Sequence, residues 1–219
     1  MTMAKQGRAV PEPMRRIEQP GPPEPERIQW VEVRGRAFAF TLPAGRSLLE
    51  AARRGFAEAG FAGGVLSLRG GAVEAFGIDG AAFTAEVDRE TNFKLFGPVA
   101  RAATNARGGS RAFALRLRPN QDFATALENF CRQRGIFHAR IHGGVGSTIG
   151  AHFSDGRKVV PFATELAVRA GSITAEADGT LQAAIDVALV DYLGGVAEGR
   201  LMRGDNPVLM TMELVLEVL

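Results

Sequence analysis

The sequence LRPNQDFATALENFCRQRGI, residues 117–136, is the most informative about the fold because it contains a complete helix signature. Asp122 stands at the expected N-cap, and Gly135 stands where the helix should end. Between them the apolar residues repeat at helical spacing: Phe123, Ala126, Leu127, Phe130 and Cys131. The stretch predicts an amphipathic helix packed on a sheet. It also predicts that the Cys131 thiol is inert, because burial in an apolar core raises thiol pKa.

The same pattern occurs 75 residues earlier in the chain. Residues 36–60 align with residues 111–135 without a gap, and 7 of the 25 positions are identical. In the earlier segment Ser47 and Glu50 form a capping-box signature, and Gly60 ends the apolar stripe. Each segment has the order strand, turn, helix and terminal glycine. The sequence therefore predicts a tandem duplication.

The chain divides into three predicted regions. Residues 1–27 are rich in proline and lack hydrophobic periodicity, so we expect a disordered tail. An abbreviated copy with a linker is expected at 28–110, and a full copy at 111–219. The segments after the second helix alternate as strands do and are separated by turn signals. The expected fold class is α+β, a largely antiparallel β-sheet with one packed helix per copy.

Composition limits the class of protein. The chain has 219 residues, of which 46% are hydrophobic and 23% charged, as in soluble globular proteins. One cysteine excludes an intrachain disulfide and suits a reducing compartment. No signal-like segment and no apolar run of about 18 residues occurs, so we expect a cytoplasmic protein without a membrane partner. The formal charge of +2 is only a weak indication of a polyanionic partner.

The second copy resembles the PPC (plants and prokaryotes conserved) domain. The likeness lies in the helix segment, the glycine hairpin GGVGS, and then TELAVRAGSI, DVALVD and EGRL in that order. It covers residues 111–219, and the first copy is similar to a shortened relative. The resemblance implies a compact sheet with one helix, assembly as a homotrimer, and DNA binding as a candidate role.

The resemblance also implies a metal site in the family, and this chain lacks the histidines that would form it. Prokaryotic members often carry H-x-H on one strand and a further histidine in GGHL. The matching positions here are Ala184, Asp186 and Arg200, while Glu165 matches a glutamate that the family often has. Arginine stays protonated and cannot ligate a metal. We therefore expect no metal and no other cofactor.

A polar strand face offers a second candidate site. IFHARIH places His138, Arg140 and His142 on one face of a strand. The two histidines lie about 13 Å apart along the strand, too far to share one metal ion. Near Arg200 they could bind a small anionic ligand; the alternative is a solvated or subunit-facing surface. The candidate set for a ligand or anion is His138, Arg140, His142, Glu165, Asp186, Asp191 and Arg200.

A run of arginines without acidic residues extends from residue 99 to residue 120. Such a run could contact nucleic-acid phosphates, or be a solvated face or a subunit contact. The candidates are Arg101, Arg107, Arg111, Arg116 and Arg118. The sequence pattern indicates no catalytic triad and no paired-carboxylate arrangement. The sequence thus favours a non-catalytic homo-oligomer that binds DNA; the alternative is a small-molecule- or metal-binding enzyme related to the acetolactate decarboxylase fold.

Overall fold

A computed structural model describes residues 15–45, 47–69, 72–104 and 109–219. The described part of the chain forms eleven strands and two helices. They are β1 (Ile28–Thr41), α1 (Leu48–Glu58), β2 (Gly63–Arg69), β3 (Ala72–Asp79), β4 (Ala81–Val87), β5 (Lys94–Ala100), β6 (Ser110–Leu117), α2 (Phe123–Gln133), β7 (His138–His152), β8 (Lys158–Ala175), β9 (Leu181–Asp191), β10 (Val196–Arg200) and β11 (Val208–Val218).

Nine strands form one antiparallel sheet in the order β10-β9-β8-β7-β11-β6-β1-β3-β2. The remaining two, β4 and β5, form a separate hairpin. The large sheet has a helix face, on which α1 and α2 pack, and a hairpin face, on which the β4–β5 hairpin packs. The predicted α+β class with a largely antiparallel sheet is confirmed.

The helix face holds the main core, and α2 forms as its sequence predicts. The Asp122 carboxylate accepts a hydrogen bond from the Thr125 backbone N–H at 2.8 Å, which caps the helix. Cys131 is fully buried, and burial raises the pKa of its thiol to about 12. The apolar stripe of α2 packs on alternate residues of the strands beneath it, among them Phe113, Leu115, Ile185, Leu214 and Leu216.

The two helical segments share one arrangement within the sheet. β1 precedes α1 and β2 follows it, with β3 lying between these two strands. Likewise β6 precedes α2 and β7 follows it, with β11 between them. A duplication would give this correspondence, and the duplication itself stays a prediction.

The hairpin face has a second, smaller core. Val33, Ile78, Ala114 and Val215 are buried there beneath the hairpin. The sheet curls on this face, so that the edge strand β2 contacts β7. This curl creates a cleft between β2 and the β7–β8 pair.

The expectation of a disordered tail is wrong for residues 15–27. The Ile17 backbone N–H donates to the Asn120 side chain at 2.9 Å. Arg27 pairs at 2.7 Å with the buried carboxylate of Glu90. Proline removes backbone donors but leaves side chains and the remaining amides free to bond, and the partners are too distant in sequence to be anticipated. Residues 1–14 lie outside the described residues. No helix in the described ranges is long and apolar enough to cross a membrane.

Candidate nucleic-acid interface

Two of the predicted phosphate-binding arginines are not available to DNA. Arg116 is buried on the hairpin face and pairs with Asp88 at 2.8 Å, and Arg118 pairs with the same carboxylate at 2.6 Å. Burial alone would raise the pKa of Asp88, but the Thr91 backbone N–H and the two guanidinium groups outweigh it and lower this pKa to about 2. The prediction that these two arginines contact phosphates is therefore wrong. Alternation along the strand suggested a solvated face, but the β4–β5 hairpin covers that face.

The other members of the predicted arginine run have different positions. Arg101 follows β5 and is exposed, and its guanidinium donates to the Thr84 hydroxyl at 3.2 Å. Arg107 lies outside the described residues. Arg111 lies on the helix face, where it donates two hydrogen bonds to Glu32, at 3.0 and 3.1 Å.

Arg111 belongs to a basic group between the two helices that the sequence interpretation did not find. Arg34 faces Arg111 directly across the β1–β6 pair, and Arg36 lies two residues further along the same strand face. Arg134, just after α2, has its guanidinium 4.3 Å from the Trp30 ring centroid. We call these four residues the inter-helix arginine cluster: Arg34, Arg36, Arg111 and Arg134. Alternation along β1 was the signal that could have revealed it.

Three members of the cluster have no carboxylate partner. Within the described ranges, Arg34, Arg36 and Arg134 form no ion pair within 4.0 Å, whereas Arg111 is paired with Glu32. The hydrogen bond from Arg111 lowers the pKa of Glu32, and the charges of Arg34 and Arg134 lower it further. The Glu32 carboxylate therefore stays ionised and holds Arg111 in place.

Aromatic rings and neighbouring acids frame the cluster. Trp30 is 37% exposed beside Arg134, and the Arg36 guanidinium lies 5.7 Å from the Phe61 ring centroid. Asp79 faces Arg34 from β3, but its carboxylate accepts hydrogen bonds from Thr104, at 2.8 Å from the backbone N–H. Guanidinium groups outnumber the adjacent carboxylates, so the surface is moderately basic.

The predicted small-ligand residues do not form one site. Arg200 of the edge strand β10 pairs at 2.8 Å with Asp186 of the neighbouring strand β9, which holds the pKa of the Asp186 carboxyl below its ordinary value. Asp191 accepts hydrogen bonds from backbone N–H groups of a turn, at 2.8 Å from Leu193. Glu165 lies on β8, where partial burial raises the pKa of its carboxyl. The expected position of Arg200 beside the histidines is therefore wrong, since two strands, β9 and β8, lie between β10 and β7 in the sheet.

The polar strand face of β7 is as alternation predicts. His138 and Arg140 are exposed, and His142 is partly buried with its ring stacked on Phe76 at 4.0 Å. The His142 Nε2 atom lies 2.5 Å from a carboxylate oxygen of Glu217. Burial would raise the pKa of Glu217, but His142 and further partners bring it below its ordinary value. Among the described residues no three His, Cys, Asp or Glu side chains gather as a metal site.

The second segment of the chain matches a known protein family. A family model described as the Plants and Prokaryotes Conserved (PCC) domain matches residues 104–219. The chain belongs to this family. The PCC domain thus contains β6, α2 and all later strands, and the resemblance to this family is confirmed for that part of the chain. No curated protein matches the chain.

Solved structures that resemble this chain give low similarity scores. A plant- and prokaryote-conserved protein from Pyrococcus horikoshii is 23% identical, with 49% of this chain and 78% of that chain covered and a TM-score of 0.41. A candidate DNA-binding protein from Bacteroides thetaiotaomicron is 14% identical over the same shares, with a TM-score of 0.40. A metal-containing protein from Archaeoglobus fulgidus is 18% identical, with shares of 63% and 84% and a TM-score of 0.41.

Proposed function

We propose that this PCC-family chain is a non-catalytic, oligomeric DNA-binding protein that contacts phosphates through the inter-helix arginine cluster. The observation that carries the proposal is the group of three guanidinium groups without carboxylate partners, Arg34, Arg36 and Arg134, around the anchored Arg111. Arginine binds phosphate oxygens through two parallel N–H donors, which suits this arrangement.

The expected mode of binding is weak and independent of sequence. The cluster lies on a sheet surface between two helices, and three of its four arginines are on the strands β1 and β6, so no helix presents the cluster to a major groove. Contacts to phosphates position a protein on a duplex without reading bases. We therefore expect binding to any duplex, with an affinity that falls steeply as salt is raised.

Charge removal tests the proposal. The double variant Arg34→Ala, Arg36→Ala removes two exposed charges from the cluster. We expect it to weaken binding of a fluorescently labelled duplex by about tenfold or more at about 50 mM salt, measured by anisotropy. The control Arg89→Ala, Lys94→Ala removes two exposed charges at the end of the hairpin on the opposite face and should leave the affinity unchanged. Equal loss in both variants would show a general charge effect and contradict the proposed site.

The oligomer is proposed from the uncovered part of the hairpin face. Over β9 and β10 neither the hairpin nor a described helix covers this face, and Val190 and Val196 are 41% and 80% exposed there. Apolar side chains gathered on an open sheet face favour contact with another chain. β10 and β2 are in addition edge strands. We infer a homo-oligomer through this face, with a trimer as the expected form.

We also infer that the chain arose by duplication of a PCC-like unit. Support comes from the shared arrangement in which one strand separates the strands before and after each helix. The first unit lacks counterparts of β8, β9 and β10, and instead continues from β3 into the β4–β5 hairpin. In this view the hairpin covers the surface on which the two units meet.

A further inference from the structure

The cleft between β2 and the β7–β8 pair contains a cavity of about 530 Å³. It opens on the hairpin face, opposite the inter-helix arginine cluster. Its lining is mainly apolar, with one buried carboxyl group, that of Glu213, and one exposed guanidinium group, that of Arg169, which is paired with Glu198. The apolar part is lined by Val65, Phe83, Phe96, Val145 and Val168. Size and lining are those of a small-molecule site.

A glycine in β7 opens this space. Gly143 has a φ of +75°, and a Cβ on it would lie 3.3 Å from the Val65 side chain on the opposite wall. Backbone therefore forms this part of the floor, and one of the two register shifts in the β7–β11 ladder lies beside it, between Ile141 and Gly144.

Glu213 has two carboxyl oxygens, and in the described part of the chain only one of them has a hydrogen-bond partner. Its side chain is 9% exposed, and one carboxyl oxygen accepts a hydrogen bond from the Thr211 hydroxyl at 2.7 Å. Thr211 in turn accepts from Arg116 at 3.1 Å. Within the described part of the chain the second carboxyl oxygen of Glu213 has no hydrogen bond. Burial raises the pKa of Glu213 above its ordinary value, which favours a carboxyl group able to donate.

We infer that this cavity binds a small, uncharged, mainly apolar molecule whose carbonyl or similar oxygen accepts a hydrogen bond from the Glu213 carboxyl group. A charged ligand would have to leave water for an apolar lining. An apolar ligand without an acceptor would leave the second oxygen of Glu213 unpaired. The two aromatic side chains of the hairpin, Phe83 and Phe96, suit a planar or aryl ligand.

A matched pair of probes tests this inference. Benzophenone has a carbonyl oxygen, and diphenylmethane has nearly the same shape without it. Titrations followed by the methyl NMR signals of Val65 and Val168 should show both compounds in the cavity. We expect benzophenone to bind about 3- to 10-fold more tightly, as one added hydrogen bond allows.

Variants locate the site and its polar group. Glu213→Gln keeps an N–H donor and should keep the preference for benzophenone, whereas Glu213→Leu should abolish it. Ala167→Phe places a ring from the exposed β8 face into the cavity and should remove the methyl shifts for both probes. Should Glu213→Leu not fold, Glu213→Met makes the same comparison. Absence of methyl shifts in the wild type, or a preference that persists without the carboxyl group, would overturn the inference.

Discussion

Arg34 of β1 and Arg111 of β6 face each other directly across two hydrogen-bonded antiparallel strands. Like charges in this position repel each other. Glu32, on the same strand as Arg34, relieves the repulsion by binding Arg111 through two hydrogen bonds. The repulsion between Arg34 and Arg111 therefore slightly destabilises the folded protein, while the two side chains keep positive charge on this surface.

Glu32→Gln should therefore strengthen DNA binding while lowering the stability of the fold. Loss of the carboxylate frees Arg111 for phosphate, so we expect tighter DNA binding in the anisotropy assay. Because the Glu32–Arg111 pair is half exposed, the free energy of unfolding should fall by at most about 1 kcal/mol. Glu86→Gln, an exposed change on the hairpin, is the control and should alter neither quantity. Weaker DNA binding by Glu32→Gln would contradict the role assigned to Arg111.

Asp88→Asn should strongly destabilise the fold. The change leaves the buried guanidinium of Arg116 without its partner, which should lower the free energy of unfolding by about 3–5 kcal/mol in urea titrations at pH 7. The pKa of Asp88 is lowered from 3.8 to about 2, so its contribution is present above about pH 4 and is lost as the pH falls towards 2. The difference in the free energy of unfolding between wild type and variant should disappear over that pH range. Asp155→Asn, in an exposed pair with Arg157, should leave the melting temperature unchanged.

Glu213→Gln should stabilise the protein at neutral pH. Burial raises the pKa of Glu213 in the folded state, so ionisation costs stability as the pH rises from the unfolded to the folded pKa. The amide stays neutral and avoids that cost. We expect the variant to melt at a higher temperature than wild type at pH 7 and at a similar temperature at pH 3. Glu176→Gln in an exposed turn should show no such dependence. A variant less stable than wild type at pH 7 would argue that the carboxylate is ionised and stabilising there.

Val190→Glu should disrupt the oligomer while leaving the fold intact. Val190 is exposed on the uncovered part of the hairpin face, and a charge there would be buried on assembly. Sedimentation velocity at micromolar concentration should show a larger species for wild type and a monomer for the variant. Leu49→Glu on α1, on the other face, is the control and should sediment as wild type does. Wild-type protein that sediments as a monomer would remove the assembly proposal.

The local elements of this fold could be predicted from sequence because their signals are local. Asp122 caps α2 through the adjacent Thr125, and Gly135 has the positive φ expected just after the helix. The alternation that placed His138 and Arg140 on one exposed face is likewise a property of a single strand.

Features that depend on long-range packing could not be predicted. Arg116 is buried because a hairpin from a different part of the chain packs over its strand. Residues 15–27 are held mainly by partners far away in sequence, such as Asn120, which hydrogen-bonds Ile17, and Leu209, which hydrogen-bonds Gln19. The inter-helix arginine cluster likewise combines β1, β6 and the end of α2, and only the assembled sheet brings these together.

The salt dependence of DNA binding reports how many phosphate contacts the inter-helix arginine cluster makes. Three phosphate contacts, from Arg34, Arg36 and Arg134, at about 0.9 released counterion each predict a slope of about −2.7 in a plot of log K against log salt. For Arg34→Ala, Arg36→Ala the slope should fall to about −0.9, since two contacts are removed. An unchanged slope in this variant, or no binding of duplex DNA at about 50 mM salt and tens of micromolar protein, would contradict the claim that the inter-helix arginine cluster binds DNA.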